Sequence, residues 1–300
     1  MVEPTIRVLH PGDTSKADPF TICIIANPAL EAPWKSGQFI LDPIAADPMA
    51  FDSTVSYIES CLFGLLPAQM EAPLADPAIE PKVRVVTVFA PGLSAEDKNS
   101  LVANDSVSNQ LIARRTAFSS FLARFGLHAD IAYAVSASES HNRATAWFTS
   151  DDDARGGVSF ILDGVNLVHR FFNLIPGTIA IHTTANSLTA LHELQHALSS
   201  YSNGSIVDLY VDSSPAVNCK RGRPIPPDFG DYDGTVFSTD PIRNGLGYEP
   251  GWTSYHCALI DPRLPAVMDN YFRGSTPESC QNDEITRRFI FDRLSAKLSR

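Results

Sequence analysis

Short β-branched runs alternate along this chain with segments whose apolar residues recur at three- and four-residue steps, and that alternation narrows the possible folds more than any other feature. Phe20-Thr21-Ile22-Cys23-Ile24-Ile25-Ala26 reads as a buried strand that stops at Asn27-Pro28, after a first stretch that reads as loop. Residues 51–65 read as a helix, with Phe51, Val55, Ile58, Cys61, Leu62 and Leu65 on one face. Residues 82–90 form the next expected strand. Residues 106–125 form the next expected helix, with Arg114, Arg115 and Arg124 on its wetter sides. Three more strands are expected at 130–136, 157–162 and 178–183. The pattern predicts an α/β fold, a mixed twisted sheet covered by helices.

From Asn186 to about Ser202 the period is helical again. Asn186 or Ser187 can cap the start, Leu188, Leu191, Leu194, Ala197 and Leu198 supply apolar contacts, and Asn203-Gly204 supplies a left-handed stop. This segment carries His192-Glu193-Leu194-Gln195-His196. Residues four apart on a helix project from the same face, so His192 and His196 can present both imidazoles to one ion and fill two of the four tetrahedral positions of zinc. Glu193 stands beside the ligands without needing to be one, which suits a general base for water that the metal activates. Two surface histidines would carry the same letters, but these interrupt an otherwise apolar stretch.

A zinc site of this kind needs a third protein ligand, and the chain reversal at Asn203-Gly204 makes the next extended segment the first place to look. Asp208 is the first strong ligand on it, with Asp212 in reserve on the same side and His256 as a further alternative. Tyr255 and Tyr271 are candidates to donate a hydrogen bond to the oxyanion that forms when a carbonyl is attacked. Asp151-Asp152-Asp153 and the group Asp228, Asp231, Asp233 before Gly234 could hold calcium, but neither matches the twelve-residue calcium loop and both read as solvated loop charge. His182 reads as a half-buried strand residue; His10, His128, His141 and His169 lack a partner at ligand spacing.

Composition excludes several partner classes. The balance of 34 acidic against 23 basic residues, a net charge of −11, argues against nucleic acid or an anionic membrane surface. No run approaches the roughly 18 apolar residues that cross a bilayer, and residues 1–10 lack the pattern of a signal peptide, so the chain reads as soluble with its compartment open. The five cysteines, Cys23, Cys61, Cys219, Cys257 and Cys280, include no C-x-x-C pair and allow at most two disulfides. With 44% hydrophobic residues, the chain reads as one domain. Residues 1–204 form an α/β part with the active helix, and 205–300 a loop-rich carboxy-terminal subdomain ending in an amphipathic helix near 283–298.

A strand, a helix with His-Glu-x-x-His, a glycine turn and a later Met-containing turn, here Pro265-Ala266-Val267-Met268-Asp269-Asn270-Tyr271, together resemble the metzincin side of the zincin metallopeptidases. Within that group the outline is similar to the IgA-peptidase-type family, which carries His-Glu-x-Gly-His and then Asp-Glu-Tyr. This chain has Gln195 at the glycine position and Asp208-Leu209-Tyr210 at a longer distance, while Ser199 and Ser202 stand where the metzincin consensus has glycine and the third ligand. The resemblance implies a zincin-like fold, one zinc per chain held by His192, His196 and Asp208, and hydrolysis of a peptide or protein substrate. Two other functions share the motif. A zinc amidase or deformylase on a small substrate would need an upstream cysteine ligand, for which Cys61-Leu62 has the letters, and a non-catalytic zinc-containing binding protein would have no use for Glu193.

Overall fold

The computed structural model describes residues 3–64, 73–147, 176–185, 188–198, 267, 291, 294–295 and 297–299, and the backbone pairing of 161–162, 165–166, 205–206 and 254–255. In chain order the elements are β1 (Thr5–Pro11), β2 (Thr21–Ala26), β3 (Ala29–Glu31), β4 (Phe39–Leu41), α1 (Pro48–Phe63), β5 (Arg84–Phe89), β6 (Ser100–Asp105), β7 (Gln110–Ala113), α2 (Arg115–Arg124), β8 (Ile131–Ser136), β9 (Thr145–Trp147), β10 (Ile161–Leu162), β11 (Val165–Asn166), β12 (Gly177–His182), α3 (Thr189–Leu198), β13 (Ser205–Ile206) and β14 (Ser254–Tyr255). The fold is α/β.

Six strands make the main sheet in the order β1-β5-β2-β8-β12-β9. The inner four run parallel, and the two edges, β1 on β5 and β9 on β12, are antiparallel. Register aligns Ile24, Tyr133 and Ile179 in one row, so their side chains share a face. That face, with Ile22, Ile131, Val135 and Ile181, packs against Phe51, Val55, Ile58 and Leu62 of α1 and Leu191, Leu194 and Leu198 of α3. The opposite face, with Cys23, Ile25, Ala132, Ala134 and Ala180, packs against Phe118, Phe121 and Leu122 of α2 and Leu101, Val102 and Leu111 of a second sheet, ordered β4-β3-β6-β7. Strands buried on both faces carry near-continuous apolar runs, broken here by Thr21, Thr178 and His182, which is why β2 and β12 read so plainly in the sequence. Each such side chain contributes on the order of 1.5–3 kcal/mol of transfer free energy.

α1 begins where it does because the Asp47 carboxylate accepts from Ala50 N–H at 2.9 Å and Pro48 occupies a first-turn position that needs no donor. The expected helix at 106–125 is corrected. Residues 100–113 form the β6–β7 hairpin, turning at Asn109 with φ 57°, and only Arg115–Arg124 is helical. The first stretch, expected as loop, contains β1, an outer strand exposed along most of its length, so burial imposes no apolar run on it. In the expected strand 157–162 the described pair 161–162 is extended, and in the expected terminal helix the described residues 291, 294–295 and 297–298 are helical. Val267, Leu294 and Leu298 join the α1–α3 core. No helix among the described residues is long and apolar enough to cross a membrane.

Candidate functional site

α3 follows β12 and packs on the sheet, and three contacts with neighbouring elements help to seat it. Near its start, Ala190 N–H donates to the Tyr57 hydroxyl at 3.3 Å, and the Tyr133 hydroxyl donates to Ala190 O at 2.8 Å. One residue from α1 and one from β8 thus hold the first turn, where helix N–H groups lack intrahelical acceptors. Near its end, Ala197 O lies 2.5 Å from where a Cβ on Gly177 would stand, so the absent side chain lets helix and strand close together. Leu191, Leu194, Ala197 and Leu198 fill the core as the period predicts.

His192 is buried, Glu193 is 6% exposed and His196 is half-buried. The two rings meet edge to face at 85°, and their Nε2 atoms lie 3.2 Å apart. His192 Nδ1 lies 2.8 Å from Val267 O. A carbonyl only accepts, so Nδ1 carries the proton, and Nε2 is the nitrogen that holds the lone pair whenever the ring is neutral. Two nitrogens bound at 2.0–2.1 Å to one tetrahedral zinc stand about 3.3–3.4 Å apart. The donor set therefore fits the ion: two imidazoles converge, and one is oriented through its other nitrogen as metal-ligating histidines are. Tyr133, whose hydroxyl is pushed well above the usual range chiefly by burial, also feels the charge of Glu193, which places that carboxylate near the helix anchor.

Among the described residues no third histidine, cysteine, aspartate or glutamate joins the pair. Cys61, buried in α1, is not brought to it. Asp208, Asp212, His256, Met268 and Tyr271 lie outside the described residues, as do His169, Asp151–Asp153, Asp228, Asp231 and Asp233. Of Tyr255 the backbone is placed: it pairs in β14 with Ile206 of β13, in parallel. β13 lies against α3. His10 faces Glu59 at 3.0 Å, His128 faces Asp18 at 3.5 Å and His141 meets Ser140 at 2.7 Å. His182 is buried within its own turn and bonded to Ser138 O and Thr184.

Sequence reasoning missed three residues of the site. Tyr133 left a signal, a hydroxyl in the middle of an otherwise aliphatic strand that must find a partner when buried. Tyr57 left none; Val267 stands in the Met-containing segment that the resemblance singled out, but its backbone oxygen has no letter of its own. The fold and site define an α/β protein with a paired-histidine helix packed on a mainly parallel sheet. No protein-family model matches the chain, and no curated protein matches its sequence.

Proposed function

We propose that this chain is a zinc-dependent peptidase in which Glu193 is the general base. The observation that carries the reading is the convergence of His192 and His196, Nε2 to Nε2 at 3.2 Å, with His192 Nδ1 committed to Val267 O. These two residues would hold the ion, with the third ligand from Asp208, or from Asp212 or His256. Zinc, when bound, supplies a Lewis acid that brings the pKa of a water to about 7. The Glu193 carboxylate takes a proton from the attacking water and passes it to the departing amine nitrogen, and its low exposure keeps competing solvent from that exchange. Tyr255 and Tyr271 would donate to the oxyanion.

The test loads wild type and Glu193→Gln with zinc and assays both on a peptide library, with and without a chelator. Both proteins should hold about one zinc, cleavage should be chelator-sensitive, and the variant should be slower by roughly two to four orders of magnitude. A protein that takes up no zinc overturns the site, since the 3.2 Å separation is then a hydrogen bond between the rings. Equal cleavage by the two proteins overturns Glu193 as the base.

A further inference from the structure

The exit of β12 toward α3 is tied at three successive residues. Thr183 N–H donates to Ser136 O at 3.1 Å, Thr184 N–H to His182 Nδ1 at 3.0 Å, and Ala185 N–H to His182 O at 3.0 Å. His182 is 8% exposed and projects to the same sheet face as Ala180, away from α3. Its neighbours decide its tautomer. Ser138 O, 2.9 Å from Nε2, can only accept, so Nε2 carries the proton. Thr184 N–H can only donate, so Nδ1 presents its lone pair, and the Thr184 hydroxyl 2.7 Å away shares it. The ring is therefore neutral in this turn. The clamp continues across the sheet, where Ser138 Oγ donates to Asn104 Oδ1 at 3.1 Å and Ser136 Oγ to the buried Asp42 at 2.6 Å.

We propose that His182 is a positioning residue for α3 and makes the placement of that helix acid-sensitive: its neutral ring holds the turn at residues 183–185, where the chain leaves β12 ahead of α3, and protonation at Nδ1 releases it. The consequence for hydrolysis rests on the peptidase reading; the turn itself does not. A proton taken from solvent at Nδ1 makes that nitrogen a donor facing the Thr184 N–H. The threonine hydroxyl can rotate to accept, but the amide cannot, and it loses its partner. Histidine is the side chain that ordinarily changes charge between about pH 5 and 8. Among the described residues the titratable and charged groups on the surrounding elements are Glu139, His141 and Arg143 in the β8–β9 loop, Asp105 at the end of β6, and Asp42, which accepts from Ser136 and Ala137; His192, Glu193 and His196 lie beyond the sheet. Among the described residues none of these bonds the ring, whose two nitrogens are taken by the neutral groups of Ser138 and Thr184.

The experiment is nitrogen NMR with amide exchange on the full chain, for wild type, His182→Ala and His182→Asn. Asparagine keeps an acceptor near the Nδ1 position and cannot take up the proton. At neutral pH the wild-type ring should show Nε2 protonated and Nδ1 bare. On acidification the protection of the Thr184 and Ala185 amides, corrected for intrinsic exchange, should fall roughly tenfold in step with the ring's titration. His182→Asn should keep its protection level over the same range, and His182→Ala should lack it throughout. Where cleavage is present, His182→Ala should lower kcat with KM little changed, and His182→Asn should restore most of it. A protonated Nδ1 at neutral pH, or Thr184 protection indifferent to acid in wild type, overturns the proposal even if neither variant folds. Because ring and amide measurements need neither zinc nor substrate, absence of cleavage with an acid-sensitive turn would sink only the peptidase reading.

Discussion

Gly177→Ala tests whether α3 sits as close to the sheet as the structure places it. The new Cβ would stand 2.5 Å from Ala197 O, 2.7 Å from Ile131 Cδ1 and 3.1 Å from the Ala197 carbonyl carbon. Ordinary contacts between such atoms lie near 3.5–4.0 Å, so α3 and β12 must part by roughly 1 Å. Two of the three atoms are backbone and cannot swing aside. Overpacking of this kind costs about 1–3 kcal/mol, and each kcal/mol lowers the Tm of a chain of this size by about 2–4 °C. Ala197 follows His196, so the same movement shifts one imidazole against the other and should weaken zinc binding as well. Urea unfolding gives the stability change, and zinc titration of the folded variant gives the second. Unchanged stability and affinity would refute the close approach and, with it, the account of how the helix is seated.

Three further outcomes are expected. His196→Ala should bring zinc from about one per chain to near none by elemental analysis, and full occupancy in the His192→Ala, His196→Ala double variant would remove the assignment. Asp208→Ala should weaken zinc binding strongly and Asp212→Ala little; near-parental affinity in both would send the search for the third ligand to His256. Burial pushes the Asp42 carboxyl above the usual carboxylate range, against the opposing donors Ser136, Ala137, Asn27 and Ile44. A raised folded-state pKa means that folding takes up a proton. This contribution is full below the unfolded pKa of about 3.9 and is lost as pH rises through the folded value, so wild-type stability relative to Asp42→Asn should fall across that window. A difference that stays flat in urea unfolding at several pH values would contradict it.

The α/β class and the elements beside the site were legible in the sequence because burial on both faces forces largely apolar runs on β2, β8 and β12, and burial on one face forces the three-and-four step on α1. Where burial exerts no such pressure the reading failed. β1 lies exposed at an edge, and the β6–β7 turn, polar from Asp105 to Gln110 except for the exposed Val107, merged into the helix that follows it. The i, i+4 spacing of His192 and His196 is likewise a local fact, settled by helix geometry before any folding is considered. Their orientation is not local. His192 Nδ1 finds its carbonyl 75 residues further along the chain at Val267, and Ala190 finds its two tyrosines on β8 and α1, 57 and 133 residues back. Those partners are brought together by the packing of separate layers, and one of them is a backbone oxygen that every residue possesses. The sequence by itself determined that two imidazoles share a helix face; only the tertiary structure decided which nitrogen of His192 faces His196 and how deeply Glu193 is buried beside it.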